Sequence, residues 1–213
     1  MARAVTVRNG ADEAVRLTGS ISDITEGKVA DALTGLPNRV LLKDRLSRLL
    51  SHTRRTTAFQ VVVMFIDLDR FKVVNDSMGH QAGDDLLIQT AARLDGCVRS
   101  TDTVARLSGP PQTHAVPGST VGRVGGDEFV VVLGGFNQGK GAQLVADRLH
   151  AAFAAPFEIR GQEVFVSLSV GVTISTPATE CGEDLLREAD TAMYRAKSAG
   201  SGRTEFFTVA MQT

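Results

Sequence analysis

Asp67 directly follows the apolar run Val61-Val62-Val63-Met64-Phe65-Ile66. A run of that kind reads as a buried strand that delivers its next residue, here a carboxylate, to the edge of a sheet. Asp127 and Glu128 stand between a glycine pair, Gly125-Gly126, and a second apolar run, Phe129-Val130-Val131-Val132-Leu133. The glycines permit positive φ and close backbone approach by a substrate, so a tight turn presents two more carboxylates at the start of another buried strand. Magnesium keeps near-octahedral oxygen coordination and commonly takes one or two protein carboxylates together with substrate phosphates. Three acids on two strand ends meet that demand for magnesium, or for manganese in its place, and the chemistry they suggest is phosphoryl or nucleotidyl transfer. Either feature alone reads as structural, Asp67 as a strand-end cap and the glycines as an ordinary hairpin turn; their joint occurrence points to a site.

The elements that must position these acids alternate along the chain. A helical pattern through Val40, Leu41, Leu42, Leu46, Leu49 and Leu50 opens the series. Strands are expected at 59–66, 129–133 and 164–174, helices at 83–98, 142–154 and 183–198, and a short strand at 204–209 that closes a sheet edge. This is an α/β fold with helices packed on a central sheet. The stretch 108–122 breaks the rhythm, because Gly109-Pro110-Pro111 and Pro117-Gly118 concentrate loop formers where a short connection is expected, and it reads as an exposed insertion. Ahead of the series, residues 5–24 read as a two-stranded hairpin around Asn9-Gly10, and a domain boundary is placed near Gly27, dividing 1–27 from 28–213.

Composition narrows the partners. With 23 Lys+Arg against 24 Asp+Glu, the chain lacks the basic footprint of a nucleic-acid binder, while a small nucleotide remains open. The two cysteines, Cys97 and Cys181, stand far apart, so neither a disulfide framework nor a zinc site is suggested, and a reducing cytoplasm is the natural compartment. No apolar run approaches the ~20 residues of a membrane helix, so no membrane contact is expected of this segment. Gly134-Gly135-Phe136-Asn137-Gln138-Gly139-Lys140 imitates a P-loop, but Gly141 stands where the magnesium-holding hydroxyl is required.

The run Asp67-Leu68-Asp69-Arg70-Phe71-Lys72-Val73-Val74-Asn75-Asp76-Ser77-Met78-Gly79-His80-Gln81-Ala82-Gly83-Asp84, with Gly125-Gly126-Asp127-Glu128-Phe129 after it, closely resembles the GGDEF family of diguanylate cyclases. Asp31-Ala32-Leu33-Thr34-Gly35-Leu36-Pro37-Asn38-Arg39 before it and Ala189-Asp190-Thr191-Ala192-Met193-Tyr194-Arg195-Ala196-Lys197 after it support the likeness, and the motifs recur in order. The resemblance implies a palm-like, ferredoxin-like or adenylyl-cyclase-like domain with an antiparallel-containing central sheet flanked by helices. It implies a homodimer in which two GTP-loaded subunits face each other and condense their nucleotides into cyclic di-GMP. Asp67, Asp127 and the Leu68 carbonyl then look like metal ligands, with Glu128 beside them as ligand or base. Asn75 and Asp84 match the family's guanine readers; their types also suit helix caps. Phe71 and Lys72 fall where main-chain N–H groups at a helix start hold phosphates, beside Gly125 and Gly126, and Lys197 looks like the phosphate-binding lysine of the last helix.

Two departures qualify the likeness. The family's arginine four residues after Lys197 is replaced by Ser201, with Arg203 two places further on. Arg99 and Asp102 match the family's RxxD product-inhibition motif, or else form a solvated helix end; but the segment after them normally runs straight into the glycines, whereas here the insertion intervenes. Either Val121–Val124 forms the strand before the glycines, or Val104–Leu107 pairs separately. The N-terminal hairpin is similar to the closing strands of PAS sensor domains, or is a plain extension, and an EAL domain often follows such cyclases. A rival to the active cyclase is a regulatory module that binds GTP or cyclic di-GMP and tunes a neighbouring domain.

Overall fold

The computed structural model describes residues 2–8, 14–21, 29–53, 60–107, 119–136 and 140–212. Strands β1 (Ala2–Arg8) and β2 (Ala14–Ile21) pair antiparallel as a separate two-stranded sheet. Then follow α1 (Arg39–Thr53), β3 (Gln60–Leu68), α2 (Phe71–Met78), α3 (His80–Leu107), β4 (Thr120–Gly125) and β5 (Glu128–Phe136). The chain continues with α4 (Lys140–Phe153), β6 (Phe157–Ile159), β7 (Gln162–Val164), β8 (Leu168–Ile174), α5 (Gly182–Ser198), β9 (Thr204–Phe206) and a 3-10 turn at Val209–Gln212. No helix among the described residues is long and apolar enough to cross a membrane.

The main sheet has the order β4-β5-β3-β8-β9, antiparallel throughout except for the parallel β8–β9 edge. Successive side chains of a strand face opposite ways, and β3 is apolar on both faces because both are covered. Val62, Met64, Ile66 and Leu68 join the cluster built with Leu86, Leu94, Leu149 and other residues of α3 and α4. Val61 and Val63 join the cluster built with Leu42, Leu46, Leu185 and Ala189 of α1 and α5. The same alternation sends Asp67 to the face of α5. The result is the expected helix-flanked sheet, with β9 closing its edge.

Several boundaries differ from the sequence reading. Thr120, Val121 and Gly122, assigned to the insertion, belong to β4, because β5 offers them a ladder; 108–118 lie outside the described residues. Val104–Leu107 completes α3 and forms no strand. The strand expected at 164–174 breaks at 165–167, and its first part pairs back through a two-residue turn at Arg160 and Gly161, both at positive φ, to make the β6–β7 hairpin. The final strand ends at Phe206, three residues early.

Helix α5 lies directly on β8. A Cβ added to Gly171 would collide with the backbone at Ala189 O and Met193 N, so glycine here sets how closely helix and sheet approach. Gly171→Ala is therefore expected to destabilise the domain by about 1–3 kcal/mol or more through overpacking. Gly96, exposed on α3 with open space around it, provides the contrast: Gly96→Ala should stabilise by about 0.5–1 kcal/mol. Urea unfolding of both variants reads the opposite signs.

Candidate active site at the end of the central strands

The β3–β5 ladder sets Asp67 directly opposite Glu128, so both carboxylates occupy one face of the sheet at its end. The turn between β4 and β5 adds Asp127, with Gly126 at φ 51, a conformation that favours glycine. Asp67 is only 4% exposed. Lys197 in the last turn of α5 brings its Nζ to 2.6 Å from Asp67 Oδ1, an ion pair with that buried carboxylate. Burial pushes the Asp67 carboxyl from 3.8 to about 6 against the pull of Lys197, and the negative charges of Asp127 and Glu128 add to the rise. Glu128 is also raised, by burial first and then by Asp190 and Asp127.

This corner holds more negative charge than its one lysine balances. Among the described residues no three Asp, Glu, His or Cys side chains form a ready-made metal cage. A hard divalent cation of the magnesium type needs no such cage, since it completes its shell with water, backbone carbonyl and phosphate oxygens. The buried Asp67 carboxylate and the neighbouring Asp127 and Glu128 fit that kind of ion.

The other residues singled out from sequence lie at the end of β3 and on α2 and α3. Arg70, at φ 61, starts α2 without any side-chain cap, so the helix start at Phe71 and Lys72 presents its N–H groups uncapped by a side chain. Asn75 is half-buried on α2 and Asp84 is exposed just after the first turn of α3. The two helices meet at Gly79, whose φ of 87 makes the sharp corner, and this brings Asn75 beside the first turn of α3. Leu68 ends β3 with its side chain in the core. Arg99 and Asp102 lie on the α3 helix, but their side chains fall outside the described residues.

Sequence reasoning missed two clamps. Arg123 donates from Nε and Nη2 to the Gly126 carbonyl at 2.9 and 2.6 Å, and from Nη1 to Asp31 at 3.0 and 3.2 Å. Asp31 in turn accepts from Thr34 N and Oγ1. Burial acts to raise the Asp31 carboxyl, yet the hydrogen bonds of Thr34 and Arg123 outweigh it and hold the group below its ordinary range. The segment before α1 is thereby tied to the glycine turn. The second clamp is Asp69, buried and accepting from Ser167 Oγ and Ser169 Oγ at 2.6 Å each and from Gly202 N at 2.9 Å. It fastens the loop after Lys197, where Gly200, Ser201 and Gly202 all have positive φ, to the end of β3. The alternation that marks Asp67 also marks Asp69, but its partners are 98, 100 and 133 residues away and leave no local signal.

Comparison with known proteins points to one family. The family model described as diguanylate cyclase, GGDEF domain, matches residues 28–110 and 112–203. Diguanylate cyclase TpbB of Pseudomonas aeruginosa is 39% identical over 173 residues, 81% of this chain and 36% of that protein. The bifunctional diguanylate cyclase/cyclic di-GMP phosphodiesterase MucR of the same organism is 38% identical over 181 residues, 85% of this chain and 24% of that protein. The solved structure of TpbB comprising only its GGDEF domain superposes with a TM-score of 0.71 at 34% identity, over 86% of this chain and 96% of that one. The chain thus spans about a third or less of the length of these curated relatives.

The Asp67 corner has a measurable cost. Folding raises this carboxyl, so the folded state binds the proton more tightly, and stability falls as pH rises from 3.8 through about 6. Without divalent cations, Asp67→Asn is expected to unfold at a higher temperature than the wild type above about pH 7 and to differ little near pH 4. Thermal unfolding across that range checks it; a difference that does not change with pH would contradict the assignment.

Proposed function

Because the chain belongs to the GGDEF family of diguanylate cyclases, we propose that it condenses two GTP into cyclic di-GMP with release of two pyrophosphates. Two subunits face each other, each holding one GTP. Each 3′-hydroxyl oxygen attacks the partner's α-phosphorus; a new P–O bond forms, the bond to pyrophosphate breaks, and the hydroxyl proton passes to a base. Asp67, Asp127 and the Leu68 carbonyl would hold magnesium or manganese, with Glu128 adjoining. When bound, the ion would supply charge stabilisation to the phosphate oxygens and acidify the hydroxyl.

The remaining work falls to the chain itself. Glu128, with its carboxyl raised by burial and acidic neighbours, is suited to take the hydroxyl proton. The uncapped start of α2 at Phe71 and Lys72 and the backbone at Gly125 and Gly126 receive phosphate oxygens. Lys197, close to the acidic corner, neutralises the triphosphate. Asp84 accepts from the guanine N–H edge while the Asn75 amide offers both donor and acceptor. The observation that carries the reading is the juxtaposition of the buried Asp67 carboxylate and Glu128 across the β3–β5 ladder.

One observation favours a catalytically weak regulatory module instead. Ser201 offers no cation, and Arg203, the next candidate, has its Nη1 3.9 Å from Glu205 Oε1. Triphosphate affinity then rests chiefly on Lys197.

Incubation of concentrated protein with GTP and magnesium, followed by chromatography, is expected to yield cyclic di-GMP. Asp67→Ala and Asp127→Ala should each lower the yield by at least about a hundredfold while the protein stays folded, as judged by circular dichroism. Near-normal turnover in either variant would rule out the metal assignment.

Feedback by product is expected as well. The α3 helix bearing Arg99 and Asp102 runs unbroken to Leu107, and β4 forms at Thr120 after the inserted stretch, which supports the reading in which the motif keeps its place. An arginine fork is suited to guanine or phosphate. Calorimetric titration should show cyclic di-GMP binding to the wild type and a loss of about tenfold or more in Arg99→Ala; identical curves would mean that the motif binds nothing.

A further inference from the structure

We propose that Gly83 is a specificity-determining spacer of the base site: the absence of its side chain is what lets the Asn75 amide lie against α3, one residue before Asp84. This deepens the guanine-reading role assigned above to Asn75 and rests on it. Gly83 is buried in the first turn of α3, and it is not among the glycines with positive φ, so its backbone makes no demand for glycine. In an ordinary helical position alanine would be preferred. The demand comes from space. A Cβ at Gly83 would overlap Asn75 Oδ1, and would lie 2.9 Å from Asn75 Cγ and 3.2 Å from Phe71 Cζ.

The backbone around it has little room to yield. Gly79 N donates to Asn75 O at 2.9 Å, and Ala82 N and Gly83 N donate to Gly79 O at 3.0 and 3.3 Å, locking the corner between α2 and α3. The flexible partner is the Asn75 side chain, so a methyl group at position 83 displaces the amide rather than the helices. The group displaced is the one that completes the reading of guanine next to Asp84, and a nucleotide without that pairing pattern loses nothing by the move.

The test is a cycle of Gly83→Ala, Asn75→Ala and the double variant in the full chain. Gly83→Ala is expected to raise KM for GTP on the order of tenfold with little change in kcat, and to leave inhibition by ATP unchanged. A general loosening of the fold would move both nucleotides. In thermal unfolding the sign should depend on the background: Gly83→Ala lowers the midpoint when Asn75 is present and raises or preserves it when Asn75 is alanine, because the clash is gone and the helix propensity remains. If Asn75→Ala shifts the preference for GTP and Gly83→Ala does not, the spacer role is overturned and the guanine role stands. If Asn75→Ala leaves that preference unchanged, the guanine role falls and the specificity claim for Gly83 falls with it. A midpoint shift of the same sign and size in both backgrounds also overturns the proposal, since the two residues would then not be in contact.

Discussion

A carboxylate held almost out of water is expensive, and Asp67 is held so by the strand that delivers it. Its place cannot be relaxed without sacrificing the core: β3 is the middle strand of the sheet, with β5 on one side and β8 on the other, and its other residues are packed on both faces. The charge must be met where it stands. Lys197 meets part of it, but with Asp127 and Glu128 close by the carboxyl still rests near 6. The site is therefore electrostatically incomplete while the fold around it is complete. Such strain at a functional site persists only where the surroundings over-determine it.

The two clamps are those surroundings. Arg123 grips the carbonyl of Gly126 and the carboxylate of Asp31 together, so the turn that presents Asp127 is fixed to the segment before α1. Asp69 does the same at the other side, pinning the loop after α5 to the end of β3 and so limiting how far Lys197 can move from Asp67. In both cases an ion or a buried carboxylate has several hydrogen bonds from backbone or hydroxyl groups, the arrangement that makes buried charge tolerable. Glycine enters this scheme for two different reasons. At Gly126 the backbone conformation requires it, whereas at Gly83 and Gly171 the neighbouring atoms do.

What could be read from the sequence follows the range of the physics involved. The apolar runs around Asp67 and Phe129 are local and have a period of two, so the central strands and the carboxylates at their ends were legible, as were the helices whose apolar face recurs every three or four residues. The glycine pair before Asp127 was legible because turn chemistry is local too. Three things were not, or not fully. The β6–β7 hairpin turns on Arg160-Gly161, and arginine at positive φ is not a recognised turn signal. The strand β4 was legible only as one of two alternatives, at Val121–Val124, because its pattern Thr-Val-Gly-Arg-Val-Gly is weak and it owes its existence to the edge that β5 offers. The clamps join residues tens of positions apart, Asp31 to Arg123 and Asp69 to Gly202, which only the folded topology brings together.

The position of Lys197 links stability to the proposed reaction. Without a divalent cation its ammonium is the nearest positive charge to Asp67, and it sits on a helix whose backbone packs against β8 with no room for a side chain at Gly171. The helix therefore cannot slide, and only the flexible stem of the lysine can redirect its charge. In the proposed reaction Asp67 would hold a cation, and Lys197 would then be available to phosphate oxygens. The fold then needs one lysine for two successive partners. That economy matters in this chain, because Ser201 contributes no second charge and Arg203 is directed toward Glu205. Affinity for the triphosphate and relief of the buried carboxylate are in this way coupled through one side chain, and any substitution that perturbs the α5–β8 contact acts on both.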